Sequence, residues 1–144
     1  MPINGETVKS AISMKLAESF PDLTIYKEKV AQGMQKPCFF IWQLNVNCTQ
    51  ELRHRYNMLF NMIVRYHPQE NIPDTYSKCA DIGIRCIDHL STIQVENRPL
   101  QATSIRFEIV DDVLFVYADY SIRVDRELPP EPKMAVIDDI EGVI

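Results

Sequence analysis

Glycine is scarce, with four in 144 residues, at positions 5, 33, 83 and 142. That spacing leaves no glycine-rich loop to cradle a phosphate, and a Gly-x-Ser-x-Gly nucleophile elbow is also missing. The four cysteines, at 38, 48, 79 and 86, lack the two-residue spacing of zinc knuckles, and His54, His67 and His89 form no HxxxH pair. Neither a metal site nor a cofactor is therefore expected. The longest unbroken apolar run, residues 113–118, falls far short of the ~20 residues that a membrane helix needs. Residues 1–20 carry Lys9 and Lys15 and no apolar h-region, so a secretory signal is not expected either. These absences predict a soluble chain made in the cytosol, with reduced thiols and no disulfide.

Positive charge is also in short supply. Fifteen basic side chains face 20 acidic ones, a formal charge of −5 that argues against a nucleic-acid coat. The imbalance is local: residues 1–107 hold 12 basic and 10 acidic groups, whereas residues 108–144 hold 3 and 10. Arg53-His54-Arg55-Tyr56 mixes basic and aromatic side chains as nucleic-acid strands sometimes do, but without an RNP-like motif it fits a subunit or partner contact better.

What is present is a core of ordinary size, 46% hydrophobic residues in a chain of single-domain length. Val8, Ala11, Ile12 and Leu16 form a helical stripe that Asn4 or Thr7 can cap, and Phe20-Pro21 ends it. A short β-prone run follows at residues 24–27, then a connection at residues 32–37 with breakers at both ends. Cys38, Phe39, Phe40, Ile41 and Trp42 are apolar without alternation, which predicts a strand covered on both faces. Tyr56, Met58, Phe60, Met62, Val64 and Tyr66 alternate with Asn57, Asn61 and Arg65, as on a long strand.

A second helix is predicted from Tyr76, Cys79, Ala80, Gly83, Cys86, Ile87, Leu90 and Ile93 on one face. Two further strands, residues 103–110 and 113–124, meet at Asp111-Asp112 as a tight hairpin. Arg65, Arg106 and Arg123 read as edge or solvent-face charges. The fold class expected is α+β: an antiparallel sheet of four or five strands with two helices packed on one face and an extended C-terminal arm. Residues 1–124 form the domain. Residues 125–144 are a stiff linker, Leu128-Pro129-Pro130-Glu131-Pro132, and an arm rich in Met134, Val136, Ile137 and Ile140 that should dock on something.

No constellation of catalytic type emerges. Cys79 and Cys86 share the second helix's stripe as core thiols, and Asp111-Asp112 suits a turn better than an acid/base couple. A small enzyme of the hotdog type remains the alternative from another class, with Asp74 and Asp88 as helix carboxylates to serve at a dimer cleft. Two helices cover one side of a sheet, so the second side calls for a neighbouring subunit.

The stretch Ile25-Tyr26-Lys27-Glu28, then Gln32-Gly33-Met34, then Lys36-Pro37-Cys38-Phe39-Phe40-Ile41, after a helix that ends at Phe20-Pro21, resembles a known family. It is similar to the tail-terminator, or tail-completion, proteins of phages, prophages and phage-tail-like bacteriocins of Gram-positive bacteria, over roughly residues 4–124. The resemblance implies a non-enzymatic subunit of a virion or tail-like particle, assembled in the bacterial host cytoplasm. It implies a homo-oligomeric ring, usually a hexamer, that caps the head-proximal end of the tail tube and stops polymerisation. Its implied partners are the tube protein, the sheath protein of a contractile tail, and a connector or collar, with DNA only passing through the lumen. A head-tail connector or stopper ring is the nearest alternative. The interface expected on this basis uses Phe39, Ile41, Met58, Phe60 and Met62 from the strands, Arg53 and Arg55, and Met134, Val136, Ile137 and Ile140 from the arm.

Overall fold

The computed structural model describes residues 3–27 and 33–125. Its elements, in chain order, are α1 (Gly5–Ser19), β1 (Thr24–Tyr26), β2 (Cys38–Gln50), β3 (Arg55–His67), α2 (Thr75–Leu90), β4 (Thr92–Val95), β5 (Arg98–Val110) and β6 (Val113–Asp125). The strands form one curled sheet in the order β1-β2-β3-β6-β5-β4.

Helix α1 starts at a capping box, in which the Asn4 side chain accepts from the Thr7 N–H at 3.0 Å and the Thr7 hydroxyl oxygen accepts from the Asn4 N–H at 2.9 Å. Two N–H groups that the helix cannot satisfy internally are thereby paired. The helix closes where the Phe20 N–H donates to the Leu16 carbonyl, immediately before Pro21. Its stripe of Val8, Ala11, Ile12 and Leu16 is buried, as the four-residue spacing predicts.

Helix α2 buries Cys79, Gly83, Cys86 and Leu90. Gly83 is required by a close approach: a β-carbon there would sit 2.8 Å from the Phe107 ring of β5. The last carbonyl of α2, that of Leu90, accepts from the hydroxyl of the fully buried Tyr120 on β6. The predicted face runs too far in both directions. Tyr76 is 66% exposed, and Ile93 is buried on β4 rather than on the helix.

The sheet has six strands and is mixed, which corrects the expectation of four or five antiparallel ones. One added strand is β4. Ser91 ends α2, its carbonyl accepts from the Ala102 N–H, and a turn at Glu96-Asn97 returns the chain into β5. Both turn residues have positive φ, 51° and 66°, the geometry of a two-residue hairpin that matches strand twist. Asp111-Asp112 turns the same way at 52° and 61°, as its sequence predicts. The mixed character comes from β1, which pairs parallel with β2, Thr24 opposite Cys38 and Tyr26 opposite Phe40. Eleven residues separate the two strands, close to the dozen or so that a parallel crossover needs.

One cluster holds the core. It joins the stripes of both helices to Phe39 and Ile41 of β2, Phe60, Met62 and Val64 of β3, and Leu114, Val116, Ala118 and Tyr120 of β6. Strand β2 carries a bulge, because Gln43 pairs with Met62 and Asn45 with Asn61, leaving Leu44 unpaired and 57% exposed.

Candidate assembly surface

Residues paired across a sheet point to the same side. The register therefore defines the face opposite the core cluster: Phe40, Arg65, Phe115 and Glu108 form one row, and Trp42, Ile63, Tyr117 and Arg106 the next. Toward the β2–β3 turn the rows become more polar, with Asn61 and Asp119, then Leu59 and Ser121, then Asn57 and Arg123.

The first two rows build an aromatic patch around a charge. Tyr26 stacks on Phe40 at 5.1 Å, Phe40 lies 6.2 Å from Trp42, and His67 meets the Phe40 ring edge-on at 5.6 Å. The Arg65 guanidinium sits 4.0 Å over Trp42, 5.5 Å from the Phe40 centroid and 6.0 Å from Phe115, a set of cation–π contacts. Its Nε is buried and has no hydrogen-bond partner among the described residues, and the same holds for Nε2 of His67. Burial pushes the Arg65 guanidinium below its ordinary value. His67 is also held low, first by burial and then by the charges of Arg65 and Lys36. Beside them, Tyr117 donates to Glu108 at 2.8 Å and lies 4.2 Å beneath Arg106. The hydrogen bond to Glu108, with some desolvation, raises the Tyr117 phenol.

The polar rows are internally satisfied. Asn61 donates to Asp119 at 2.6 Å, Ser121 to Asn57 at 2.7 Å, and Arg123 pairs with Glu51 at 3.1 Å. The basic and aromatic end of the face thus keeps unspent hydrogen-bonding capacity, whereas the other end uses its own.

The residues expected at an interface are distributed differently. Phe39 and Ile41 are 0% exposed and Phe60 and Met62 1%, all within the core cluster, with Met58 half-buried against it. In this conformation the first four offer no surface to a neighbour, and Met58 offers only part of its own. Arg53 is exposed in the β2–β3 turn, where its carbonyl accepts from the Gln50 side chain. Arg55 is exposed at the start of β3, 3.8 Å from Asp125. Met134, Val136, Ile137 and Ile140 lie outside the described residues.

A second side of the sheet in need of cover is present as the sequence predicts, but Phe40 and Trp42 line it rather than Phe39 and Ile41, and alternation alone separates the two pairs. If Phe39 and Ile41 point inward, then Phe40 and Trp42 point outward, together with Ile63 and Arg65. Arg65 is not a free solvent-face charge but is half-buried against rings, unlike the exposed Arg106 and Arg123.

Asp74 stands exposed before α2 in left-handed geometry, and Asp88 is exposed on that helix. Among the described residues no Asp, Glu, Lys, Arg, His, Asn, Gln, Ser or Thr is buried as a whole, and no three metal-ligating side chains converge. Among them, too, no helix is long and apolar enough to cross a membrane. Cys79 and Cys86 are both buried, and desolvation pushes the Cys86 thiol up to about 12.

Among curated proteins none matches the chain. A solved structure titled only with a sequence identifier aligns over 90% of this chain and 100% of its own, at 11% identity and a TM-score of 0.41. A family model described as "phage tail terminator protein" matches residues 7–132. That span takes in every strand, all of α2, α1 from Thr7 onward, and the prolines at 129, 130 and 132. A match over so much of its length identifies the chain as a structural component of phage tails: it belongs to the phage tail terminator family.

Proposed function

We propose that this subunit assembles as a ring, a hexamer by the family resemblance, on the head-proximal end of the tail tube. There it stops tube and sheath polymerisation and presents the docking surface for a connector or collar. The observation that supports a ring is the outer sheet face: half-buried Trp42, Ile63, Phe115 and Tyr117 lie side by side, opposite the core cluster that the two described helices cover. Such a patch suits burial against a second protein surface. The partners proposed are other copies of this chain, the tube protein, the sheath protein and the connector or collar, within a virion or headless tail-like particle. If the particle is a phage, DNA crosses the lumen. The arm around Met134, Val136, Ile137 and Ile140 reaches a neighbour or the sheath.

Electron microscopy of particles from a strain lacking this gene tests the reading through tail length. Overlong tubes of irregular length are expected. Finished tails of normal length without heads or collars would move the protein outward to a connector ring and overturn the capping role.

A further inference from the structure

The outer face and the chain beyond Asp125 are complementary in charge and in apolar content. On the face, Arg65 and Arg106 are cationic, the nearby Lys36 already pairs with Glu70 at 3.9 Å, the only acidic side chain in the two aromatic rows is Glu108, and Glu108 already accepts from Tyr117. Residues 134–144 contain Asp138, Asp139 and Glu141, no basic side chain, Met134, Val136 and Ile137 between the prolines and the acids, and Ile140 among the acids. The buried Nε of Arg65 still lacks an acceptor among the described residues. A carboxylate reaching it would satisfy a donor whose isolation costs stability.

Direction selects whose arm this is. Strand β6 passes the patch at Phe115 and ends at Asp125, opposite Arg55. Those ten residues carry the chain roughly 33 Å away from Arg65, at about 3.3 Å per residue. Pro129, Pro130 and Pro132 then favour an extended course onward, not a return along the same sheet. We infer that the acidic, apolar arm of one copy lies on the outer face of the next copy, with Ile137 against its aromatic rings and Asp139, on the same side of an extended chain, at its Arg65. This rests on the ring reading above and names the contact that links neighbouring copies.

Trp42, the sole tryptophan, sits in the contact and reports on it. In the full chain, Trp42 is expected to be shielded from acrylamide quenching at high protein concentration and to lose that shielding on dilution. The triple variant Asp138→Lys, Asp139→Lys, Glu141→Lys changes only residues beyond the sheet and should lose the shielding at every concentration. Adding a full-length Trp42→Phe copy, silent in fluorescence but with an intact arm, should restore it in trans. Arg65→Glu should lose shielding, and combining it with the reversed arm should recover it; if Arg65→Glu does not fold, the arm variant and the mixing experiment decide alone.

Quenching unchanged by arm reversal would overturn the proposal. So would shielding that is insensitive to dilution and not restored in trans, which would assign the arm to its own chain's face. Shielding absent from the pure protein and gained only on adding sheath protein would overturn it as well. None of these readouts involves tail length, so the capping role can fail while the arm contact stands, and the reverse.

Discussion

At the scale of single residues, the side chains that matter most combine burial with a polar atom. Tyr120 is fully buried, and its hydroxyl closes the last carbonyl of α2. Tyr120→Phe leaves that carbonyl unpaired in an apolar site, so stability should fall by about 1–3 kcal/mol in denaturant unfolding. His67 makes stability depend on pH. Burial, then Arg65 and Lys36, hold its folded pKa below the ordinary 6.5, so the fold prefers the neutral ring. The stability this supplies is complete above pH 6.5 and drains away as acidification protonates the unfolded chain first. His67→Gln should therefore flatten the loss of stability between about pH 7 and 5, measured by denaturant midpoints across that range. Alternation along β3 places Arg65 on the side of the sheet where it is found. It could not give the enclosure, because the Trp42 and Phe115 rings reach it from strands far apart in the chain.

At the scale of elements, legibility followed the range of the interactions. Helix α1 with its cap, the alternation of β3 and the Asp111-Asp112 turn depend on neighbours within a few residues, and each forms where the sequence places it. Strand β1's parallel pairing and the existence of β4 depend on distant partners. The spacing of Leu90 and Ile93 is equally helical in pattern, but Ser91 and the Glu96-Asn97 turn send Ile93 into a strand. Two glycines separate these kinds of constraint. At Gly83 an added β-carbon meets the Phe107 ring, held between helix and sheet, so Gly83→Ala should destabilise by about 1–3 kcal/mol through overpacking. At Gly5 the obstacle is the end of the exposed, flexible Gln43 side chain, which can swing aside. Gly5→Ala at the first position of α1 should leave stability nearly unchanged, and parallel thermal melts of the two variants would show the contrast.

At the scale of the whole molecule, the turn carrying Arg53 and the outer face offer two separate surfaces. The Arg55–Asp125 pair is exposed at 3.8 Å and contributes at most about 1 kcal/mol, so Arg53→Glu with Arg55→Glu should fold normally. Docking is expected to weaken, and complementing a deletion strain with this double variant should give overlong tails; tails of normal length would remove the turn from the contact. The Leu44 bulge has its own consequence for the molecule. Beyond Phe40, no described strand pairs with the free side of β2, so Trp42 through Gln50 present open backbone groups of the kind that recruit foreign strands into fibres. The extra residue breaks the ladder just where that exposed stretch begins and twists it out of a flat template. Deleting Leu44 would bring Gln43 and Asn45 into continuous register without flipping either side chain. The shortened chain should still fold yet bind thioflavin on standing, a hazard that the bulge averts.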